Sequence, residues 1–161
     1  MRNLHELQIK TAVEAVASRK EVNEVYFVAC GGSQAVLMAG QYLFDKESSV
    51  PSHVYTANEF VYDTPKNLCE KSVVISCSHS GNTPETVAAT KLARSKGAIT
   101  ICLSKVLHYG KLQNIQYIMT GVKMSAILIR IKVFFTDCYS SYLVFLQLMQ
   151  NGIFALKSWK S

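Results

Sequence analysis

The chain has 161 residues, 49% hydrophobic and 17% charged, which suits one folded domain with a real core and argues against a disordered chain. The net charge of +6 is unevenly spread: residues 1–105 hold 11 Lys/Arg against 10 Asp/Glu, and residues 106–161 hold 6 against the single Asp137. The body therefore lacks a basic face, which speaks against a nucleic-acid partner. The five cysteines are Cys30, Cys69, Cys77, Cys102 and Cys138, odd in number and without C-x-x-C spacing. That argues against a zinc site and against a disulfide framework, and a reducing, cytoplasmic location is expected. His5, Glu6, Lys10 and Glu14 interrupt the N-terminus, so no signal peptide is expected.

Residues 5–20 predict an amphipathic helix, with Leu4, Leu7, Ala12, Val13, Val16 and Ala17 at helical spacing. Val25-Tyr26-Phe27-Val28-Ala29-Cys30 is a continuous apolar run of strand length, broken by Gly31-Gly32-Ser33. Helical character resumes over 35–44. A short strand is expected over 53–56, after Pro51. A helix starting near Glu59 and ending before Pro65 would be capped by Asn58. Ser72-Val73-Val74-Ile75-Ser76-Cys77 predicts a second buried strand. Thr83 suits the N-cap and Pro84 the first turn of a helix that runs to Lys96, with Gly97 as its C′ residue. Residues 98–103 predict a third strand. Apolar strands alternating with helices are the signature of a parallel sheet covered on both faces. The expected fold is therefore α/β, a three-layer doubly wound parallel sheet. Ligands bind such sheets at the carboxyl ends of the strands, where both polar loops fall.

The second of those loops lies in Ser76-Cys77-Ser78-His79-Ser80-Gly81-Asn82-Thr83-Pro84-Glu85. A phosphate dianion needs many short donors and little bulk. Ser78, Ser80 and Thr83 supply three hydroxyls within six residues. Gly81 allows close approach or positive φ, and the N–H groups of the following helix complete an anion cradle. The loop holds no Lys or Arg, which suits a small phosphosugar better than a nucleoside triphosphate with magnesium. Neither G-x-x-x-x-G-K-[ST] nor G-x-G-x-x-G occurs, which disfavours nucleotide binding; no cofactor and no metal ligand are expected. The same residue types also serve plain turn and cap chemistry. The second loop candidate, Gly31-Gly32-Ser33, shifts the balance towards a ligand.

Cys30-Gly31-Gly32-Ser33, Ala57-Asn58-Glu59-Phe60-Val61, and Cys77-Ser78-His79-Ser80-Gly81-Asn82-Thr83-Pro84-Glu85-Thr86 together resemble the SIS (sugar isomerase) domain family. Within it they are most similar to the fructosamine/fructoselysine-6-phosphate deglycases, relatives of the isomerase half of glucosamine-6-phosphate synthase. The resemblance spans residues 1–105 and implies a flavodoxin-like fold and a sugar-phosphate ligand. It implies that Ser78, Ser80 and Thr83, with Gly81, hold the phosphate. Ser33, with Gly32, would meet the sugar, and His79 would be a neighbouring loop donor. Glu59 is a weak candidate for a catalytic carboxylate, with a capping carboxylate as the alternative.

The resemblance stops near Lys105. Family members of this kind carry two SIS halves, with the acid/base glutamate and histidine in the second, and nothing in residues 106–161 matches it. A phosphosugar-binding domain that is truncated and catalytically incomplete is therefore expected. An active deglycase or isomerase as an oligomer, and a sugar-sensing module without catalysis, are the alternatives. A regulator's helix-turn-helix domain is not expected within the 24 residues ahead of the first strand. Arg130, Lys132 and Asp137 interrupt the apolar stretches 126–135 and 142–149, so no membrane span is expected. Codons for positions 106–124 can be chosen so that a shifted frame encodes SPLWQIAKYSIYYDWGED, which resembles the family at this place. The tail is therefore expected to be out of frame and poorly specified, with helix at most around 140–157. Apolar surface left uncovered would favour homo-oligomers or aggregation.

Overall fold

Strand β1 (Glu24–Ala29) pairs in parallel with β2 (Ser52–Thr56) on one side and β3 (Ser72–Cys77) on the other. Beyond β3 lie β4 (Ile99–Ser104) and β5 (Gln116–Ile118), also parallel, giving the order β2-β1-β3-β4-β5. The computed structural model describes residues 11, 12, 14–104 and 116–118. Residues 5–10 and 140–157, read above as helix, lie outside the described residues. Helix α1 is described at residues 11, 12 and 14–17; α2 (Gly32–Glu47), α3 (Ala57–Tyr62) and α4 (Pro84–Ser95) follow.

The sheet is apolar on both sides because helices cover both sides. Val25, Phe27, Ala29, Val73, Ile75, Cys77, Ile99, Ile101 and Leu103 pack with Ala12 and Val16 of α1 and Leu37 and Phe44 of α2. Tyr26, Val28 and Val74 pack with Ala57 and Phe60 of α3 and Ala89 and Ala93 of α4. Successive strand residues alternate between these two cores, as a period of two requires. Phe27, Phe44 and Phe60 are fully buried, and burial of each such side chain stabilises by about 1.5–3 kcal/mol.

The strands and helices fall within a few residues of where the apolar runs place them, and four further features differ. Helix α2 begins at Gly32 rather than Ala35. Only Gly31 interrupts the chain: it takes φ 57° and its carbonyl accepts from the amides of Gln34 and Ala35. Helix α3 is capped by Thr56, not Asn58. The Thr56 hydroxyl accepts from the Glu59 amide at 3.2 Å and the Glu59 carboxylate accepts from the Thr56 amide at 3.4 Å, a reciprocal capping box. Thr83 is the N-cap of α4, but its hydroxyl makes no cap hydrogen bond. Lastly, β5 adds a strand in a stretch with no strand period of its own. It takes its pairing from β4, through Cys102 with Gln116 and Ser104 with Ile118. The C-terminal end of α4 is as expected. Gly97 has φ 80°, its amide donates to the Arg94 carbonyl at 2.9 Å, and the Ala98 amide donates to Ala93 at 3.1 Å, a Schellman closure.

Candidate functional site

Two chain reversals meet where the strand order turns. The chain leaves β1 towards β2 on one side, then returns to place β3 on the other, so the β1 and β3 exits are neighbours with their helices diverging. This is the crevice in which open α/β sheets bind ligands. Ala29 and Cys77, the last residues of the two strands, are register partners. The loops that follow, Cys30-Gly31-Gly32-Ser33 and 78–83, therefore start side by side.

The second loop is organised around one buried hydroxyl. Ser78 is 1% exposed. Its amide donates to the Leu103 carbonyl at 3.0 Å, tying the loop to β4. Its hydroxyl lies 2.8 Å from Thr83 Oγ1 and 3.5 Å from Ser80 Oγ, and accepts from the Thr83 amide at 3.4 Å. Gly81 sits at the bend with φ 68°, a conformation other residues rarely take, and its amide donates to the Ser78 carbonyl at 3.0 Å. The Asn82 amide donates to Ser80 Oγ at 3.3 Å. The structure thus brings Ser78, Ser80, Gly81 and Thr83 into one turn. Ser80 and His79 are exposed and Thr83 is half-buried. Because Thr83 turns its hydroxyl towards Ser78, it leaves the first turn of α4 without a side-chain cap. The positive end of that helix, which needs acceptors for its N–H groups, faces the loop.

The first loop offers space. Gly31 and Gly32 are exposed, and a Cβ built on either would meet nothing within 4 Å. Ser33 is half-buried in the first turn of α2, whose N-terminus carries no acidic residue. The two loops are joined by Thr86 of α4, whose hydroxyl donates to Cys30 Sγ at 3.9 Å. Sequence reasoning missed this contact. Its signal was a pair of threonines, Thr86 and Thr90, on the face of α4 that the alanines mark as core. Glu59 stands apart from this cluster in the capping box of α3, which accounts for its carboxylate. Among the described residues, no group of three or more His, Cys, Asp or Glu is placed to hold a metal ion. No described helix is long and apolar enough to cross a membrane. Cys30, Cys69, Cys77 and Cys102 are free thiols.

A doubly wound parallel sheet with a hydroxyl-rich turn at its switch point defines a class of small-ligand-binding α/β domains. The SIS domain model matches residues 20–109, and the chain belongs to that family. It is 51% identical over 100 residues to the fructosamine deglycase FrlB of Bacillus subtilis (strain 168), covering 62% of this chain and 30% of that protein. It is 29% identical over 101 residues to the fructoselysine 6-phosphate deglycase of Escherichia coli (strain K12), covering 63% and 30%. The chain thus spans about 30% of the length of these curated relatives. Among solved structures, a candidate phosphosugar isomerase from Bacillus subtilis superposes with TM-score 0.74 at 36% identity, over 90% of this chain and 44% of that one. A candidate sugar-phosphate isomerase from Listeria monocytogenes superposes with TM-score 0.76 at 19% identity, over 93% and 79%, a likeness of fold alone.

Proposed function

We propose that this chain binds a sugar phosphate at the paired loops, as a phosphosugar-binding SIS domain derived from a fructosamine-6-phosphate deglycase. The observation that carries this reading is the Ser78-centred turn, which gathers the Ser80 and Thr83 hydroxyls at the uncapped start of α4. A phosphate there would accept from the hydroxyls of Ser78, Ser80 and Thr83 and from first-turn amides. The contacts now made among the hydroxyls are the ones a phosphate oxygen would replace. Gly81 keeps the turn tight, and His79 is an exposed donor at its rim. The open space over Gly31 and Gly32 would admit the sugar, with Ser33 beside it. The relatives named above are deglycases of fructosamines and of fructoselysine 6-phosphate, which favours a 6-phosphorylated ketosamine in carbohydrate-derivative metabolism.

We read the chain as catalytically incomplete. Opening such a sugar requires a positioned proton-transfer group. The one carboxylate advanced for that role, Glu59, already closes the α3 cap. A cytoplasmic setting suits the four thiols that are free among the described residues. A second reading, an active deglycase, is favoured by the 51% identity to the Bacillus subtilis enzyme. Incubation with fructoselysine 6-phosphate and assay of released glucose 6-phosphate separates the two. No turnover, with glucose 6-phosphate binding by calorimetry, is the expected result. Turnover overturns incompleteness, and absence of binding overturns the phosphosugar reading.

A further inference from the structure

We propose that Thr86 and Thr90 are positioning residues for the ligand loops: a buried chain of hydroxyls and thiols that locks α4 against the sheet and ties the phosphate turn to the Cys30 loop. The proposal rests on the phosphosugar reading above. Four groups that could have been apolar form the chain. Thr86, Thr90, Ser76 and Cys102 are each at most 2% exposed. They lie on the α4 side of the sheet, next to the apolar cluster of Val74, Ala89 and Ala93. Thr90 Oγ1 lies 2.8 Å from the Thr86 carbonyl oxygen and 3.0 Å from Ser76 Oγ, and Ser76 Oγ lies 3.4 Å from Cys102 Sγ. The Thr86 hydroxyl ends the chain at Cys30 Sγ.

The hydroxyl donors run from α4 towards the sheet. The Thr90 hydroxyl is the donor to both the Thr86 carbonyl oxygen and Ser76 Oγ. Ser76, accepting from Thr90, donates its own proton to Cys102 Sγ. The Thr86 hydroxyl donates to Cys30 Sγ. A slip of α4 along the sheet would strand several buried hydroxyls at once. Burying a hydroxyl without a partner is unfavourable. An alanine or valine face would slide more freely, since apolar contact is non-directional. The register of α4 sets where Thr83 and the 78–83 turn stand relative to Gly31 and Ser33. Neither Thr86 nor Thr90 is exposed enough to touch a ligand, so their effect is through position.

Calorimetric titration of the full chain with glucose 6-phosphate tests this, alongside thermal melts. Thr86→Val keeps the shape and removes the donor. It is expected to weaken binding about fivefold, the factor that corresponds to one net hydrogen bond. Thr86→Ser, which restores a hydroxyl, is expected to bind within about twofold of the parent. Cys30→Ala removes the acceptor from the other loop and is expected to weaken binding to a similar degree. The double variant Thr86→Val/Cys30→Ala is expected to lose little more than either single one, because both break the same contact. If the parent binds but Thr86→Val and Cys30→Ala bind equally well, with only the melting temperature lowered, the positioning role is overturned. If Thr86→Val fails to fold, Cys30→Ala decides alone, and unchanged affinity overturns the proposal. If the parent itself does not bind, the phosphosugar reading fails, and this inference with it.

Discussion

The hydroxyl of Ser78 lies 2.8 Å from that of Thr83, across a turn whose Gly81 takes φ 68°. A helix cap residue that turns away from its helix is unusual, because Thr at this position ordinarily accepts from the N2 or N3 amide. Here it joins a buried serine instead, and the start of α4 is left for another acceptor. This relationship sets the prediction for the turn.

On the proposed reading, Thr83→Ala and Ser80→Ala each remove a hydroxyl donor to a charged phosphate. Such bonds contribute about 1.5–3 kcal/mol, so glucose 6-phosphate affinity is expected to fall roughly tenfold or more in each variant, measured by calorimetry. Folding should be spared in Ser80→Ala, since Ser80 is exposed. Unchanged affinity in both variants would remove the phosphate assignment.

Gly97 closes the far end of α4 and provides a contrasting case. Its φ is 80°, and a Cβ there would stand 3.1 Å from Glu70 Cβ. Gly97→Ala is expected to destabilise by about 1–2 kcal/mol from left-handed backbone strain. That corresponds to a melting temperature lower by roughly 2–8 °C for a domain of this size. The variant's affinity for glucose 6-phosphate should match the parent's, because the helix end away from the ligand loops is altered. A melting temperature equal to the parent's would contradict the strain argument.

Alkaline pH should destabilise the fold. Burial pushes the Cys102 thiol above its ordinary value of 9.0, outweighing the opposing hydrogen bonds from Ser76 and Thr90. Burial also pushes the Tyr26 phenol above its ordinary 10.0, assisted by its hydrogen bond to Glu24. Both groups keep their protons in the folded state at pH values where the unfolded chain has begun to release them. The unfolded state then binds fewer protons, so stability falls as pH rises. It should be level below pH 9 as far as these two groups are concerned, and decline above pH 9 and more steeply above pH 10. Chemical denaturation at a series of pH values checks this. Cys102→Ser should flatten the first part of the decline, and an unaltered slope would assign it to other groups.

The reading of residues 106–161 as out of frame is tested by the gene. Beginning at the third base of codon 106, a one-step frame change is expected to read SPLWQIAKYSIYYDWGED and to continue as recognisable SIS sequence. A nucleotide sequence incompatible with that string would sink the idea. Restoring the frame is then expected to yield a longer chain with deglycase turnover.

The strands, most helix ends and the candidate loop residues could be read in the sequence because each has a local cause. Ser72 to Cys77 is an unbroken run of small and apolar residues that only a strand buried on both faces needs. Pro84 and Gly97 bracket α4 through their own backbone preferences. The cap of α3 was legible too, in Thr56-Ala57-Asn58-Glu59, yet Asn58 drew attention because its cap propensity is intrinsic. The true cap depends on the reciprocal reach of Thr56 and Glu59. What only the tertiary structure decided is non-local. The pairing of Ala29 with Cys77 sets the two loops side by side, and strand order is a property of the whole sheet. The contact between Thr86 and Cys30 spans 56 positions. Strand β5 forms against β4 without a strand pattern of its own, because an open sheet edge supplies the hydrogen-bond partners that its side chains do not request.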